Sequence, residues 1–292
     1  MNIQWYPGHM TKARRMMQEN IKLVDLIIEL TDARAPLSSR NPDIDELGKG
    51  KSRLILLNKA DLASDRWNEQ WAAWFQEQGY FVVKLDSRSR AGMKSIQNVI
   101  REACREKIER DKKRGILNRP VRAMVAGIPN VGKSTFINSF AGKACTKTGN
   151  KPGVTKGAQW IRLNKQVELL DTPGILWPRF DDQQVGLRLA MLGSVNDEIL
   201  NLKELSGELG CFLQAHFKGC LEERYGVGFA ELTKPHEMLM EIARARSCLT
   251  KGGEPDVDRA AKILLDDFRS GRLGKITLEF PPQGEYDKSI EK

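Results

Sequence analysis

Residues 127–134 read Gly-Ile-Pro-Asn-Val-Gly-Lys-Ser, the pattern G-x-x-x-x-G-K-S. An apolar run, Val121 to Ala126, leads into it, and a helix-compatible stretch, Thr135 to Ala141, leads out. A strand, a glycine-bearing loop and a helix in that order make a P-loop, whose backbone N–H groups face a phosphate chain. Lys133 is placed to reach the β- and γ-phosphates, and the Ser134 hydroxyl to ligate Mg²⁺. The segment Asn130, Val131, Gly132, Lys133, Ser134 and Thr135 is therefore the expected phosphate-binding set, with the positive end of the next helix behind it. Such a loop commits the chain to an α/β architecture. Its place near the middle of 292 residues is unusual, because P-loops usually open their domain.

What precedes the loop has the same α/β rhythm. Leu23 to Leu30, Arg53 to Leu57 and Tyr80 to Leu85 are short apolar runs suited to buried parallel strands. A helix is expected between the second and third, from about Asp65 to Gln78, and one long charged helix over 93–113. Met10, Ala13, Met16 and Met17 form an apolar stripe on a first helix. After the loop, Gln159–Leu163 and Val167–Leu170 have strand character. Beyond Trp177-Pro178 only helical patterns appear, the clearest from Asp256 to Ser270, and the tail from about Pro281 is polar. The reading is a P-loop domain with a mainly parallel sheet over residues 1–178, followed by an all-α domain over residues 179–292.

Two further motifs close strands. Asn58-Lys59-x-Asp61 supplies a carboxylate that accepts from the N1–H and N2–H₂ edge of guanine, a donor pair that adenine lacks. The Lys59 stem suits the face of the base, and Asn58 is placed to brace the P-loop. Ser87, after the next strand, fits a loop whose backbone N–H reaches guanine O6. Asp171-x-x-Gly174 supplies an acid for Mg²⁺ and an N–H for the γ-phosphate. Thr155, in a Gly- and Lys-rich stretch, is expected to complete the Mg²⁺ set with Ser134 and Asp171. Many GTPases place Gln directly after D-x-x-G to orient water; this chain has Ile175, which has no donor or acceptor. A P-loop ATPase or kinase would leave Asn58–Asp61 without a task.

The guanine motif thus precedes the P-loop, which precedes Thr155 and Asp171–Gly174. This order resembles the circularly permuted GTPases. The opening Trp5-Tyr6-Pro7-Gly8-His9-Met10-x-Lys12-Ala13, the turn Asp32-Ala33-Arg34-x-Pro36, the P-loop itself and Arg269-x-Gly271-x-Leu273-Gly274 resemble the ribosome biogenesis GTPase A (YlqF/RbgA) family over nearly the whole chain. The resemblance implies a circularly permuted GTPase domain and a C-terminal helical domain that contacts ribosomal RNA. It implies an assembly factor for late maturation of the large ribosomal subunit, stimulated by the pre-ribosomal particle. It also implies that His9 acts on the attacking water as a catalytic residue beside Lys133, and that Asn130 ligates K⁺ next to the phosphates. A GTP-gated placeholder on the ribosome, in which hydrolysis is incidental, is the competing reading.

The charge balance agrees with an anionic partner. The net charge is +9 and the pI about 9.3. The cations Lys234, Arg244, Arg246, Arg269, Arg272 and Lys275 are expected to be exposed and available to RNA. The 5 cysteines are scattered with no C-x-x-C, which argues against zinc and disulfides. No apolar run approaches a membrane span, so the expectation is a cytoplasmic monomer that binds GTP and GDP and no membrane.

Overall fold

The computed structural model describes residues 8–117, 119–146, 157–229 and 234–282, apart from the His9 side chain. The chain separates into two compact units. The first holds residues 5–179 and takes the chain back at Thr277; the second spans Phe180–Ile276.

The first unit is built on a six-stranded sheet: β1 (Leu26–Asp32), β2 (Ser52–Asn58), β3 (Phe81–Leu85), β4 (Val121–Ala126), β5 (Gln159–Arg162) and β6 (Val167–Asp171). Their order across the sheet is β3-β2-β1-β4-β6-β5, and only β5 runs antiparallel to its neighbour. The strands that read as continuous apolar runs lie in the middle. Every residue of β1 is buried, as a parallel strand covered on both faces requires. The edge strand β5 has one inward residue, Ile161, and leaves Trp160 half exposed. Between β1 and β4 the strand order reverses direction, and there the carboxyl ends of a doubly wound sheet open a crevice.

Helix α1 (Gly8–Asn20) precedes β1, and α2 (Pro42–Leu47), α3 (Asp65–Glu77), α4 (Met93–Ala103), α5 (Arg105–Lys113) and α6 (Lys133–Ala141) connect the strands. Met10, Ala13 and Met17 are buried, as the stripe on α1 requires. Trp71 and Phe75 of α3 lie in a cluster with Ile55 and Leu57 of β2. The single helix expected over 93–113 is two, broken at Cys104. The apolar face of Ile96 and Ile100 ends there. The polar segment after it docks instead through Lys107, which pairs with Asp25 and Asp111. The strand expected from residue 23 begins only at Leu26, because residues 21–23 form a 3₁₀ turn and leave Leu23 half exposed.

The second unit contains α7 (Gln183–Met191), α8 (Leu202–His216), α9 (Cys220–Tyr225), α10 (Pro235–Ala245) and α11 (Val257–Arg269), with no strand among its described residues. Leu205, Leu209 and Leu213 of α8, Met238 and Ile242 of α10, and Leu264 and Phe268 of α11 are buried. Arg269, expected to be an exposed cation, is not one. Its guanidinium donates to the Ala190 and Met191 carbonyls at the end of α7, at 2.8 and 2.9 Å, and pairs with Asp197 at 2.7 Å. A cation at a helix C-terminus satisfies carbonyls that have no partner within the helix.

The contact division falls between Arg179 and Phe180 and again between Ile276 and Thr277. Residues 277–282, assigned from sequence to the helical domain, belong with the sheet. The Leu278 N–H donates to the Arg34 carbonyl at 2.6 Å, and the Trp71 indole N–H to the Glu279 carbonyl at 3.0 Å. Phe280 packs against Trp67 with ring centroids 4.5 Å apart. Thr277, Leu278 and Glu279 are buried, because the aromatic face of α3 needs a cover that the sheet does not supply.

Candidate nucleotide site

The motifs singled out from sequence sit at the carboxyl ends of the parallel strands. Register explains why: Asp32 of β1 lies opposite Asn58 of β2, Asn58 opposite Leu85 of β3, and Val125 of β4 opposite Asp171 of β6. Whatever follows these strands emerges on one edge.

The P-loop links β4 to α6, which starts at Lys133, so the first turn of a helix faces the loop. Lys133 is buried, and its ammonium donates to the Gly127 and Ile128 carbonyls at 2.9 and 2.8 Å. The loop curls round the lysine and fixes its head group. Gly132 has φ +96°, and a Cβ there would stand 2.5 Å from the Asn58 amide nitrogen. Only glycine lets the guanine motif approach the loop this closely. Ser134 and Thr135 occupy the first turn of α6.

Asn58 makes three bonds that tie its motif to the P-loop and to the Ser87 loop. Its amide donates to the Val131 carbonyl at 2.7 Å, and its oxygen accepts from the Ser87 N–H at 3.1 Å and hydroxyl at 2.8 Å. Ser139 of α6 donates to the Ser87 carbonyl at 2.6 Å. Three segments distant in sequence, after β2, β3 and β4, meet on one side chain. Both the Ser87 N–H and its hydroxyl bond Asn58, so Ser87 ties its loop to the Asn58–Asp61 motif. Lys59 adopts a left-handed backbone, φ 59°, and donates to the Asn130 carbonyl at 2.8 Å. Asn130 is itself left-handed, φ 63°. Asp61 follows in a 3₁₀ turn with its side chain exposed. Partial desolvation, then the neighbouring Asp86, raise its pKa above the ordinary aspartate value.

In the third motif, Asp171 is buried at the end of β6. Its Oδ1 has no hydrogen-bond partner in the structure. Burial pushes the Asp171 carboxyl up and the Lys133 ammonium down, and the attraction between the two opposes both shifts. Gly174 packs on the P-loop: a Cβ there would come within 2.8 Å of the Lys133 ammonium and 2.9 Å of the Pro129 nitrogen. Ile175 is 1% exposed, and its carbonyl accepts from the Asn41 amide at 3.2 Å. Thr155 lies outside the described residues. His9 lies in the first turn of α1, and its side chain is likewise outside them.

The turn Asp32-Ala33-Arg34-x-Pro36, quoted from sequence without a role, belongs to this edge. Asp32, at the end of β1, accepts from Lys59 at 2.8 Å and holds Arg34 through two bonds of 2.9 Å. Asp32 and Arg34 are each 1% exposed. Burial alone would raise the Asp32 pKa; the charges of Arg34 and Lys59 outweigh it and hold the carboxyl well below the usual range. The signal was present in Asp32-x-Arg34, a carboxylate and a guanidinium two residues apart at a strand end.

A family model described as "50S ribosome-binding GTPase" matches residues 122–212. The ribosome biogenesis GTPase A of Bacillus cereus is 47% identical over 100% of this chain and 99% of its own length. That of Thermotoga maritima is 31% identical, covering 96% and 95%. Among solved structures, a GDP-bound YlqF superposes with a TM-score of 0.65 at 27% identity, covering 91% of this chain and 98% of that one. The GNP-bound YlqF of T. maritima gives 0.62 at 28% identity, covering 93% and 99%. With relatives this similar along the whole length, and with the guanine motif ahead of the P-loop on one sheet edge, the chain belongs to the ribosome biogenesis GTPase A family.

Proposed function

We propose that this GTPase serves late assembly of the large ribosomal subunit, and that binding to the pre-ribosomal particle accelerates its turnover. The observation that carries the reading is the Asn58 junction, which ties the guanine motif to the P-loop through Val131. A site that only cradled phosphate would have no use for it.

In the proposed mechanism Asp61 reads the guanine edge and Lys59 supports the base. Lys133 and the N–H groups of the P-loop hold the phosphates. Ser134 and Asp171, with Thr155, are the residues that would hold Mg²⁺. The donor set suits a hard cation: hydroxyl and carboxylate oxygens, with Asp171 Oδ1 buried and unbonded. When bound, Mg²⁺ neutralises charge on the phosphate oxygens. The Gly174 N–H, held against the P-loop by the close approach of its α-carbon, senses the γ-phosphate. Ile175 is buried and apolar, so the chain does not orient water from that position. We assign water activation to His9 and a K⁺ site to Asn130, which makes basal turnover slow and dependent on the particle and on K⁺. The exposed cations Lys234, Arg244, Arg246, Arg272 and Lys275 form the proposed RNA-contacting set of the helical unit, without Arg269.

The test is phosphate release from GTP with and without large-subunit precursor particles, in K⁺ and in Na⁺. Stimulation by particles and by K⁺ over Na⁺ is expected. Equal rates in all four conditions refute the reading. Competition against labelled GTP is expected from GDP and not from ATP.

A further inference from the structure

The loop that leaves β1, residues 32–41, touches both ends of the nucleotide site. At its start Asp32 bonds Lys59 of the guanine motif, and at its end Asn41 bonds the carbonyl of Ile175, next to Gly174. No residue of this loop belongs to a nucleotide-binding motif. Its middle is clasped from elsewhere. The Glu279 carboxylate accepts from the N–H groups of Leu37 and Ser38, the latter at 2.8 Å, and from the Ser38 hydroxyl. One residue earlier, the Leu278 N–H bonds the Arg34 carbonyl. Glu279 is 5% exposed and Ser38 3%. A buried carboxylate that accepts from two backbone N–H groups and a hydroxyl fixes a loop firmly.

We infer that Glu279 is a positioning residue for guanine-nucleotide binding. It acts through the 32–41 loop, Arg34 and Asp32 to hold Lys59 against the base and the P-loop. The Glu279 carboxylate holds Leu37 and Ser38, the adjacent Leu278 N–H holds the Arg34 carbonyl in the same loop, the Arg34 guanidinium fixes Asp32, and Asp32 fixes the Lys59 ammonium. Lys59 is a flexible four-carbon chain whose ammonium must meet the Asn130 carbonyl, and a buried counter-charge selects that rotamer. The inference rests on the reading that Asn58–Asp61 binds guanine.

The experiment measures binding of fluorescent GDP and GTP analogues by the full chain and by Glu279→Ala, Glu279→Gln, Lys59→Ala and the Glu279→Ala/Lys59→Ala double variant. Glu279→Ala is expected to weaken binding on the order of tenfold, the usual cost of leaving buried N–H groups without an acceptor. Glu279→Gln keeps an oxygen for the two N–H groups and is expected to stay within about threefold of wild type. In the Lys59→Ala background Glu279→Ala is expected to cost less than about twofold, because the lysine it positions is gone. A purely structural role predicts the same loss in both backgrounds, and that result overturns the inference, as does wild-type affinity in Glu279→Ala. If Glu279→Ala does not fold, Glu279→Asp, one methylene short of the same donors, takes its place. Wild-type affinity in Glu279→Asp then overturns the inference. A wild-type chain that binds no guanine nucleotide refutes the function reading itself, a result distinct from intact binding in every variant.

Discussion

Asp32→Asn probes the buried charge network most directly. The substitution keeps size and shape, removes one charge and places an amide N–H against the donors of Arg34 or Lys59. Asp32 and Arg34 are each 1% exposed, so water cannot screen the loss. Breaking a buried pair by removing one partner costs about 3–5 kcal/mol. Against a total stability of about 5–15 kcal/mol, that is a large fraction. For a domain of this size it lowers the unfolding temperature by roughly 6 to 20 °C. The described tryptophans, Trp67, Trp71, Trp74, Trp160 and Trp177, lie in the sheet unit, so tryptophan fluorescence follows its unfolding. The pH dependence follows from the sign of the shift. The Asp32 carboxyl is depressed in the folded chain relative to the ordinary value of 3.8. Its stabilisation is therefore complete above that value and is lost as pH falls toward the folded one. The gap between wild type and Asp32→Asn in urea unfolding is expected to be constant from pH 5 to 7 and to narrow below pH 4. A gap under about 1 kcal/mol at pH 7, the net worth of an ordinary hydrogen bond, refutes the buried-pair account. A gap that does not narrow in acid refutes the assignment of the depressed carboxyl.

Three other substitutions test separate parts of the site. Ile175→Gln buries an amide at a position 1% exposed, and is expected to cost about 3–5 kcal/mol in lost apolar burial and unmet hydrogen bonds without accelerating intrinsic GTP hydrolysis; phosphate release and urea unfolding check both. Gly174→Ala drives a methyl into Lys133 and the Pro129 backbone, and is expected to reduce affinity for a non-hydrolysable GTP analogue at least about tenfold with a smaller effect on GDP, measured by calorimetry. Asn58→Ala removes the junction between the P-loop and the Ser87 loop. It is expected to weaken GDP and GTP alike by about 2–3 kcal/mol, read by fluorescent-nucleotide titration.

Much of this edge was legible beforehand because the residues that bear chemistry stand directly after apolar strands. Asn58, Lys59, Asp61, Gly127–Ser134 and Asp171–Gly174 are local patterns, and local patterns survive without knowledge of packing. The helix break at Cys104 was not legible, since residues 93–113 have good helix formers on both sides of it and only the end of the buried face forces the turn. Arg269 read as a surface cation because its sequence neighbours do not reveal the α7 carbonyls and Asp197 that it meets across 72 residues or more. The Thr277 and Glu279 contacts span more than 200 residues, and a short polar-flanked segment without periodicity offers nothing to predict them from. The order of the motifs, by contrast, was fully visible, because permutation is a property of sequence.

The return of the chain at Thr277 changes how the protein can be dissected. Truncation after Arg179, the obvious way to isolate the nucleotide-binding unit, also deletes Thr277 to Glu279. The N–H groups of Leu37, Ser38 and Ser64, the Ser38 hydroxyl and the Trp71 indole then lose acceptors, and the cover over Trp67 goes with Phe280. Such a fragment would report the loss of the clasp together with the loss of the helices. A faithful isolated unit is made by excision, joining residue 179 to residue 277 through a short flexible linker and retaining the end of the chain. In genetic terms the helical unit is an insert, and nonsense mutations anywhere within it also remove the clasp on the loop after β1.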